Sequence, residues 1–174
     1  MVRIVPFYAC GAAGDPQPTS TGGPNSWEGQ LTVTEETKTI KQIAKMMRDL
    51  DFCMLTTQSG DGQLHARPMS NNGEVEFDGD VWFFSAADSR KVTEIEAEPG
   101  VQLSYTDAKR FLFISMSGEA EIIRDVKKKN ELWVEELERW FDDGPESDDI
   151  VLIKVTPSIV AYWSGEDAGE LTLD

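Results

Sequence analysis

Basic residues are scarce in this sequence of 174 residues. Lysine and arginine number 16 against 32 aspartate and glutamate residues, which gives a formal net charge of −16 at pH 7. Such an acidic excess repels nucleic acids and anionic membranes, because both partners need a basic face on the protein. An anion can therefore bind only where the few basic residues gather locally.

Histidine and cysteine are scarce as well, with one histidine and two cysteines. Cys10 and Cys53 have no metal-site or redox spacing, which predicts no metal and favours a reducing compartment, hence the cytoplasm. His65 has no visible catalytic partner, and no catalytic residue is predicted. No apolar run reaches the roughly 18 to 20 residues of a membrane span. The glycine-rich patterns of phosphate and dinucleotide loops are also absent.

Residues 1–30 are rich in glycine, proline, alanine, serine and threonine and carry few charges. This composition predicts a flexible leader, a tag or a misassigned start, followed by one domain over residues 31–174.

The first part of this domain shows one helical and several strand patterns. Thr32 and Glu35 have capping-box spacing, and apolar residues recur at helical intervals from Ile40 to Leu50. The runs FCMLTTQ and QLHARPMS flank the turn SGDG and predict a hairpin, which VEFDGDVWFF continues as a meander.

The second part adds two helices and further strands. SRKVTEIEAEPG predicts a short helix capped by Ser89, and Asp125 opens another helix. The core stripe of that helix is predicted to contain Val126, Trp133, Leu137, Trp140 and Phe141. The helix capped by Ser89 is followed by two predicted strands, VQLSYTD and FLFISMSGEAEII, and the second of them is expected to bend at Gly118. The last strands are expected to be interrupted at Pro157.

About six strands and three helices result, which predicts an antiparallel α+β domain. The most natural arrangement is a small barrel that hides its edges by closing.

Arg90 and Lys91 stand in the first turn of a helix, where the helix dipole favours negative charge. A phosphate at this N-terminus would reconcile the arrangement, with Ser89 and free amides as further ligands. The alternative is that both cations are solvated. Lysines also crowd the helix after Asp125, but that carboxylate can neutralise them, so the pattern favours an anion at Ser89.

Two other residues are candidates for a ligand site. Arg67 precedes Pro68, which marks an edge or irregular strand, so the arginine can turn into a cleft or face solvent. Trp163 precedes a glycine turn and can cover a planar ligand or pack the last strand, whereas Trp82 is predicted to lie in the core.

The order of these segments resembles the flavin-binding split-barrel family, the pyridoxine/pyridoxamine 5'-phosphate oxidase-like superfamily, and within it the general stress protein branch. The resemblance rests on ARPMS, VEFDGDVWFFSAADSRKV, FLFISMSGEAEIIRD and VAYWSG and covers about Glu35 to Gly165. It implies a six-stranded antiparallel split β-barrel that forms a homodimer and holds FMN between the subunits. FAD or a deazaflavin is the alternative cofactor.

The resemblance also implies which residues contact the flavin. They fall in four segments: Arg67, Pro68, Met69 and Ser70; Phe83, Phe84 and Ser85; Ser89, Arg90 and Lys91; and Ser115, Ser117 and Trp163. The first segment lines the flavin, the second borders the ring or ribityl chain, and the third holds the phosphate. In the fourth, the serines approach the site from the second subunit and the tryptophan lies near the ring.

One departure limits the function that the resemblance implies. In the vitamin B6 oxidases an arginine and a histidine after the tryptophan grip the substrate, and these places fall at Gly169 and Leu171 here. We therefore expect an FMN-binding general stress protein that acts as a flavin-dependent oxidoreductase on an unknown substrate. We do not expect a pyridoxine phosphate oxidase. The alternatives are a non-enzymatic flavin sensor or buffer and a cofactor-free interaction module.

Overall fold

Seven antiparallel strands form one sheet in the computed structural model, which describes residues 38–70 and 77–173. The strands are β1 (Phe52–Gln58), β2 (Leu64–Ser70), β3 (Val81–Ala86), β4 (Gly100–Asp107), β5 (Leu112–Ile123), β6 (Ile150–Ser164) and β7 (Asp167–Thr172). The α-helices are α1 (Ile40–Met47), α2 (Arg90–Ala97) and α3 (Val126–Leu132), and a 3-10 helix follows at Glu135–Arg139. The predicted α+β class is confirmed, whereas the predicted leader lies outside the described residues.

The strand order is β2-β1-β4-β5-β6-β3, and β7 also pairs with β6. One half of β6 pairs with β3 and the other half with β7, so β6 carries two different neighbours along its length. Because β2, β3 and β7 remain edges, the sheet does not close. The expected closed barrel is wrong. The split barrel implied by the resemblance is confirmed, with β7 as a seventh strand beyond the six that were expected.

The hairpin of β1 and β2 is confirmed, but its continuation as a meander is wrong. β3 pairs with β6 instead of β2, which places Phe83 opposite Ile153 and Val81 opposite Val155. All four side chains are buried, so this pairing gains more apolar burial than an extension of the hairpin at its exposed edge would.

β6 passes through Pro157 without a break, contrary to the prediction. Gly118 of β5 stands opposite Pro157, and the register between the two strands shifts between Ser117 and Gly118. Proline has no N–H for the ladder, and the irregularity accommodates it. The irregularity in β5 lies at Gly118, where the sequence predicts a bend.

Helix α1 begins with a capping box formed by Thr39 and Gln42. The capping box predicted at Thr32 and Glu35 lies outside the described residues. Helix α2 follows the prediction, with Ser89 at the N-cap and with Val92 and Ile95 buried.

The predicted apolar stripe after Asp125 is wrong, because the helix is too short to form it. Asp125 caps α3 as expected, but Trp133 is already extended and ends the helix. Trp140 is 76% exposed, and Val126 is exposed as well. The inward-facing residues of α3 are Lys129 and Leu132 instead.

The core lies between the inner face of the sheet and α1 and α2, and its largest buried side chains include Tyr105, Tyr162 and Phe83. Trp82 is only half-buried, with the ammonium groups of Lys128 and Lys154 5.0 and 5.8 Å from its ring centroid. Its predicted core position is therefore wrong. Within the described ranges, no helix is long and apolar enough to cross a membrane.

Candidate functional site

Basic side chains from β2 and α2 meet beside the N-terminus of α2. Arg67 reaches inward from β2, while Arg90 and Lys91 belong to the first turn of α2. We call these three residues the cation cluster. The structure therefore brings together the isolated strand arginine and the two helix cations that the sequence analysis selected separately.

Glu94 links the two elements of the cation cluster. Its carboxylate accepts from Arg67 Nη2 at 3.0 Å and lies 3.4 Å from Arg90 Nε. Thr57 Oγ1 and His65 Nδ1 also contact it, at 2.5 and 2.6 Å. Burial alone would raise the pKa of Glu94, but the hydrogen bonds from Thr57, His65 and Arg67 lower it below its usual range.

Lys91 lies on the other side of the cation cluster. Its ammonium donates to Ser89 Oγ at 3.2 Å, and Ser89 Oγ lies 3.1 Å from the hydroxyl of the buried Ser85. Burial lowers the pKa of Lys91, and the charge of Arg67 lowers it further, while Asp88 opposes both effects. An anion placed here would offset the repulsion between Lys91 and Arg67.

The N-terminus of α2 differs from that of α3. The hydroxyl of Ser89 makes no capping hydrogen bond, and the first turn of α2 contains no acidic residue. In α3 the Asp125 carboxylate accepts from the backbone N–H of Lys128 at 2.7 Å. The first turn of α2 thus has basic side chains without an acidic cap, as an anion-binding helix start requires.

The next predicted flavin contacts are Met69 of β2 and Phe83 and Phe84 of β3. Met69 and Phe83 are buried in the core, so only their backbone groups can contact a ligand. Phe84 points to the other side of β3, where its ring meets Trp133 edge-on at 5.3 Å. The role of these three residues at a flavin stays a prediction, and for Phe84 the packing favours a structural role.

Ser115, Ser117 and Trp163 lie on the outer face of the sheet, with Pro68 and Ser70 at its β2 edge. The register aligns Pro68 with Met54 and Ser104, and aligns Ser104 with Ser115. Alternate residues of five strands form this face, and the following members carry no charge: Phe52, Met54, Thr56 and Gln58; Leu64, Ala66, Pro68 and Ser70; Gln102, Ser104 and Thr106; Phe113, Ser115 and Ser117; and Ile159, Ala161 and Trp163. Two acidic residues, Glu119 of β5 opposite Gly100 and Glu170 of β7 opposite Ala161, lie at the margin of this face. We call it the uncharged face.

A cleft of about 850 Å³ crosses the uncharged face beside the bulge at Gly118. Its lining includes Gln58, Gln102 and Ser117, and Glu119 is the one charged residue among the described residues that line it. Gln102 donates to Ser104 and Ser115 at 2.8 and 3.1 Å, so part of this surface is a polar ladder.

Thr57 and Glu94 were not predicted as site residues, and His65 was assigned no role from the sequence. Two signals were present: Glu94 stands four residues after Arg90, and Thr57 is a polar residue on the inward-facing side of β1. Neither signal identifies the contacts, because the partners lie 8 to 37 residues apart. No three His, Cys, Asp or Glu side chains of the described ranges gather as metal ligands do.

The chain after Gly165 belongs to the fold, although the resemblance seen in the sequence ends there. β7 pairs with β6, and a Cβ atom added at Gly169 would lie 2.6 Å from the hydroxyl of Tyr162. Leu171 packs against the core. Neither position presents a side chain that could hold a phosphate.

Comparison with known proteins gives the relatives of this chain. General stress protein 26 of Bacillus subtilis (strain 168) is 30% identical over 92 residues, which cover 51% of this chain and 62% of that protein, less than two thirds of its length. The crystal structure of General Stress Protein 26 from Bacillus anthracis str. Sterne is 27% identical, with a TM-score of 0.65, and the match covers 76% of this chain and 97% of that chain.

A protein related to general stress protein 26 from Clostridium acetobutylicum shares the fold at 17% identity, with a TM-score of 0.68 and coverage of 78% and 94% of the two chains. Residues 38–173 match the family described as "Pyridoxamine 5'-phosphate oxidase like", which extends the resemblance through β7. The chain therefore belongs to the pyridoxamine 5'-phosphate oxidase-like family, with homology to general stress protein 26.

Proposed function

We propose that this protein binds FMN, with the phosphate at the cation cluster, and acts as a flavin-dependent oxidoreductase. One observation carries the proposal: the side chains of Arg67, Arg90 and Lys91 converge beside a helix N-terminus that has no acidic cap. The local charge supports an anion, since Arg67, Arg90 and Lys91 outnumber Glu94 and Asp88 by three to two. Burial and the charge of Arg67 lower the pKa of Lys91, so a bound anion would stabilise the charged form of this lysine.

The residues present fit the phosphate end of FMN. Ser85 and Ser89 add hydroxyl groups beside Lys91, and Arg67 offers a planar guanidinium suited to phosphate oxygens. When bound, FMN supplies electron and hydride transfer at its ring, while the protein supplies binding and orientation.

A homodimer completes this proposed site. Within one chain the cation cluster lies at the inner side of β2, whereas Ser115, Ser117 and Trp163 lie on the uncharged face. If both sets contact one flavin, the uncharged face must come from a second copy of the chain. A twofold dimer then closes two sites at once, because the same surfaces are exchanged.

The uncharged face suits a second copy of the chain for a separate reason. It exposes large apolar side chains, among them Phe52 at 63%, Met54 and Ile159, in a chain of net charge −16. Contact between two such faces buries apolar surface, while the acidic residues Glu119 and Glu170 stay at the margin of the face.

The substrate is proposed to differ from pyridoxine phosphate. The ring of Tyr162 occupies the space beside Gly169 that a side chain would need, and Leu171 packs against the core. Neither residue provides the cation that a phosphorylated substrate needs.

Titration with FMN and riboflavin tests the proposal. Arg90→Ala with Lys91→Ala should weaken FMN binding by about 10² or more, because charge-assisted hydrogen bonds contribute roughly 1.5 to 3 kcal/mol each. Riboflavin has no phosphate, and its affinity should change little. Flavin reduction by NADPH, followed by absorbance, tests the oxidoreductase activity.

The matched control is Lys127→Ala with Lys128→Ala in the first turn of α3. Lys128 pairs with the exposed Glu131 and lies over the half-buried Trp82, so FMN affinity should hardly change in the control. Equal losses from both double variants would contradict a specific phosphate site, and a colourless protein that ignores FMN would contradict flavin binding altogether.

A further inference from the structure

Glu94 is a buried carboxylate on a helix that otherwise buries only apolar residues among those described. Its side chain is 5% exposed, between the buried Val92 and Ile95 on the inward side of α2. Burying a carboxylate costs free energy unless hydrogen bonds or opposite charges compensate it. Glu94 therefore needs its partners, and they all belong to or border the cation cluster.

Each oxygen of Glu94 serves one pair of partners. Oε2 accepts from Thr57 Oγ1 at 2.5 Å and from Arg67 Nη2 at 3.0 Å. Oε1 contacts His65 Nδ1 at 2.6 Å and lies 3.4 Å from Arg90 Nε. The carboxylate thus joins β1, β2 and the first turn of α2 through side chains.

Arg67 is fixed from two directions. Nη1 donates to the backbone oxygen of Leu55 at 3.2 Å and to Thr57 Oγ1 at 2.6 Å, while Nη2 donates to Glu94. Its side chain is only 19% exposed, in contrast to 69% for Arg90. These contacts use three of the five N–H donors of the guanidinium. They fix the plane of the guanidinium group, and an anion must approach in that plane to accept from the remaining donors.

We propose that Glu94 is a positioning residue that holds Arg67, directly and through Thr57, in the orientation that receives the phosphate. The proposal rests on the proposed FMN function. Glu94 does not touch the ligand. It acts by preorganising a guanidinium that would otherwise have to order itself on binding.

The charge of Glu94 by itself would repel an anion, so the two effects have opposite signs. Arg67 and Arg90 directly face the carboxylate, which reduces the repulsion that reaches the ligand. Loss of the carboxylate, in contrast, removes the charged partner of a largely buried arginine. Positioning is the larger effect, and Glu94→Gln weakens FMN binding.

A double-mutant cycle on FMN affinity provides the first test. Glu94→Gln alone should weaken FMN binding about tenfold and leave riboflavin binding within about threefold. Arg67→Gln should weaken FMN binding by at least as much. Because Glu94 acts through Arg67, the double variant should bind FMN no more weakly than Arg67→Gln alone.

The second test needs no cofactor. In the ¹⁵N NMR spectrum of the flavin-free protein, the Nη hydrogens of Arg67 should be resolved in the wild type and averaged by rotation in Glu94→Gln. Signal assignment comes from Arg67→Lys. Thr57→Val is a second variant of similar shape that removes the link between Glu94 and Arg67, and it should reduce FMN affinity and loosen Arg67 in the same direction.

Glu96→Gln is the matched control on the same helix, since Glu96 is exposed and pairs with Arg124 at 2.7 Å. Stronger or unchanged FMN binding in Glu94→Gln would overturn the proposal, as would additive effects in the cycle or an unchanged Arg67 signal. If the wild type binds no FMN, the proposed function fails, and the NMR comparison alone then decides whether Glu94 positions Arg67.

Discussion

At the scale of single residues, buried charge occurs at Glu94 and Lys129 within the described part of the chain. The ammonium of Lys129 donates to the backbone oxygens of Ser147 and Ile150 at 2.6 and 3.1 Å, which ties the acidic loop before β6 to α3. Glu94 is compensated by Arg67, Arg90 and the hydroxyl of Thr57 instead. Lys129 therefore has a structural environment, whereas Glu94 lies at the candidate anion site.

Glu94 should make the stability of the protein depend on pH. Its pKa is lowered in the folded state, because hydrogen bonds from Thr57, His65 and Arg67 outweigh the effect of burial. The interactions that lower this pKa stabilise the folded state at pH values above the unfolded glutamate pKa of about 4.3. Their contribution is lost as the pH falls through the lower pKa of the folded state. Glu94→Gln should therefore be less stable than the wild type at pH 7 by roughly 1 to 3 kcal/mol.

Urea unfolding at pH 7 and at pH 3 to 4 measures this difference. The gap between wild type and Glu94→Gln should narrow at acidic pH, while the exposed exchange Glu96→Gln should show a small gap throughout. A gap of constant size across this range would mean that the charge of Glu94 does not contribute to folding.

At the scale of elements, the pairing of β5 with β6 organises the sheet. β5 pairs with β6 from Leu112 to Ile123, and β6 then adds β3 along one half and β7 along the other. The bulge at Gly118 lies between these halves. Because of this irregularity, β5 and β6 each run without interruption through both parts of the split barrel.

Gly118→Ala should destabilise the protein by about 1 to 3 kcal/mol or more. A Cβ atom at this position would lie 2.2 Å from the oxygen of Thr156 and 2.6 Å from Cα of Pro157, and backbone atoms cannot rotate away. Urea unfolding measures the loss.

Gly100→Ala is the matched control in β4, because no atom lies within 4 Å of its added Cβ. Its stability should stay within about 0.5 kcal/mol of the wild type. Similar stabilities of the two variants would show that the strands around Gly118 can separate at little cost.

At the scale of the whole molecule, charge is distributed unevenly over the surface. The net charge is −16, yet the uncharged face spans five strands and contains Phe52, Met54, Ile159 and Trp163, which are all exposed. Because repulsion between acidic surfaces opposes association, the uncharged face is the surface proposed for self-association.

Met54→Glu should convert the proposed dimer to a monomer. A carboxylate near the middle of the uncharged face would be desolvated in the dimer without a basic partner, which is unfavourable by several kcal/mol. Light scattering at micromolar concentration should give about twice 19.4 kDa for the wild type and the single-chain mass for the variant.

Val126→Glu is the control, since Val126 is also exposed and apolar but lies in the first turn of α3, where a carboxylate is favourable. It should remain a dimer. A wild type that is monomeric with flavin bound, or a Met54→Glu variant that stays dimeric, would exclude this face as the interface.

Local patterns in the sequence determined the α+β class, the hairpin of β1 and β2, helix α2 with its cap at Ser89, and the irregularity at Gly118. These features depend on residues that are close in the chain, where side-chain period, capping and turn chemistry are readable. The same reasoning selected Arg67, Arg90 and Lys91, although it could not show that they meet.

Tertiary structure alone decided the pairing of β3 with β6, the passage of β6 through Pro157, and the inward position of Glu94. Each depends on contacts between distant segments: Glu94 meets Thr57 across 37 residues and Arg67 across 27. A sequence pattern assigns a side chain to one face of its own helix or strand, but it does not determine which distant partner compensates a buried charge. For this reason the cations of the candidate site could be read from the chain, and the carboxylate that joins them could not.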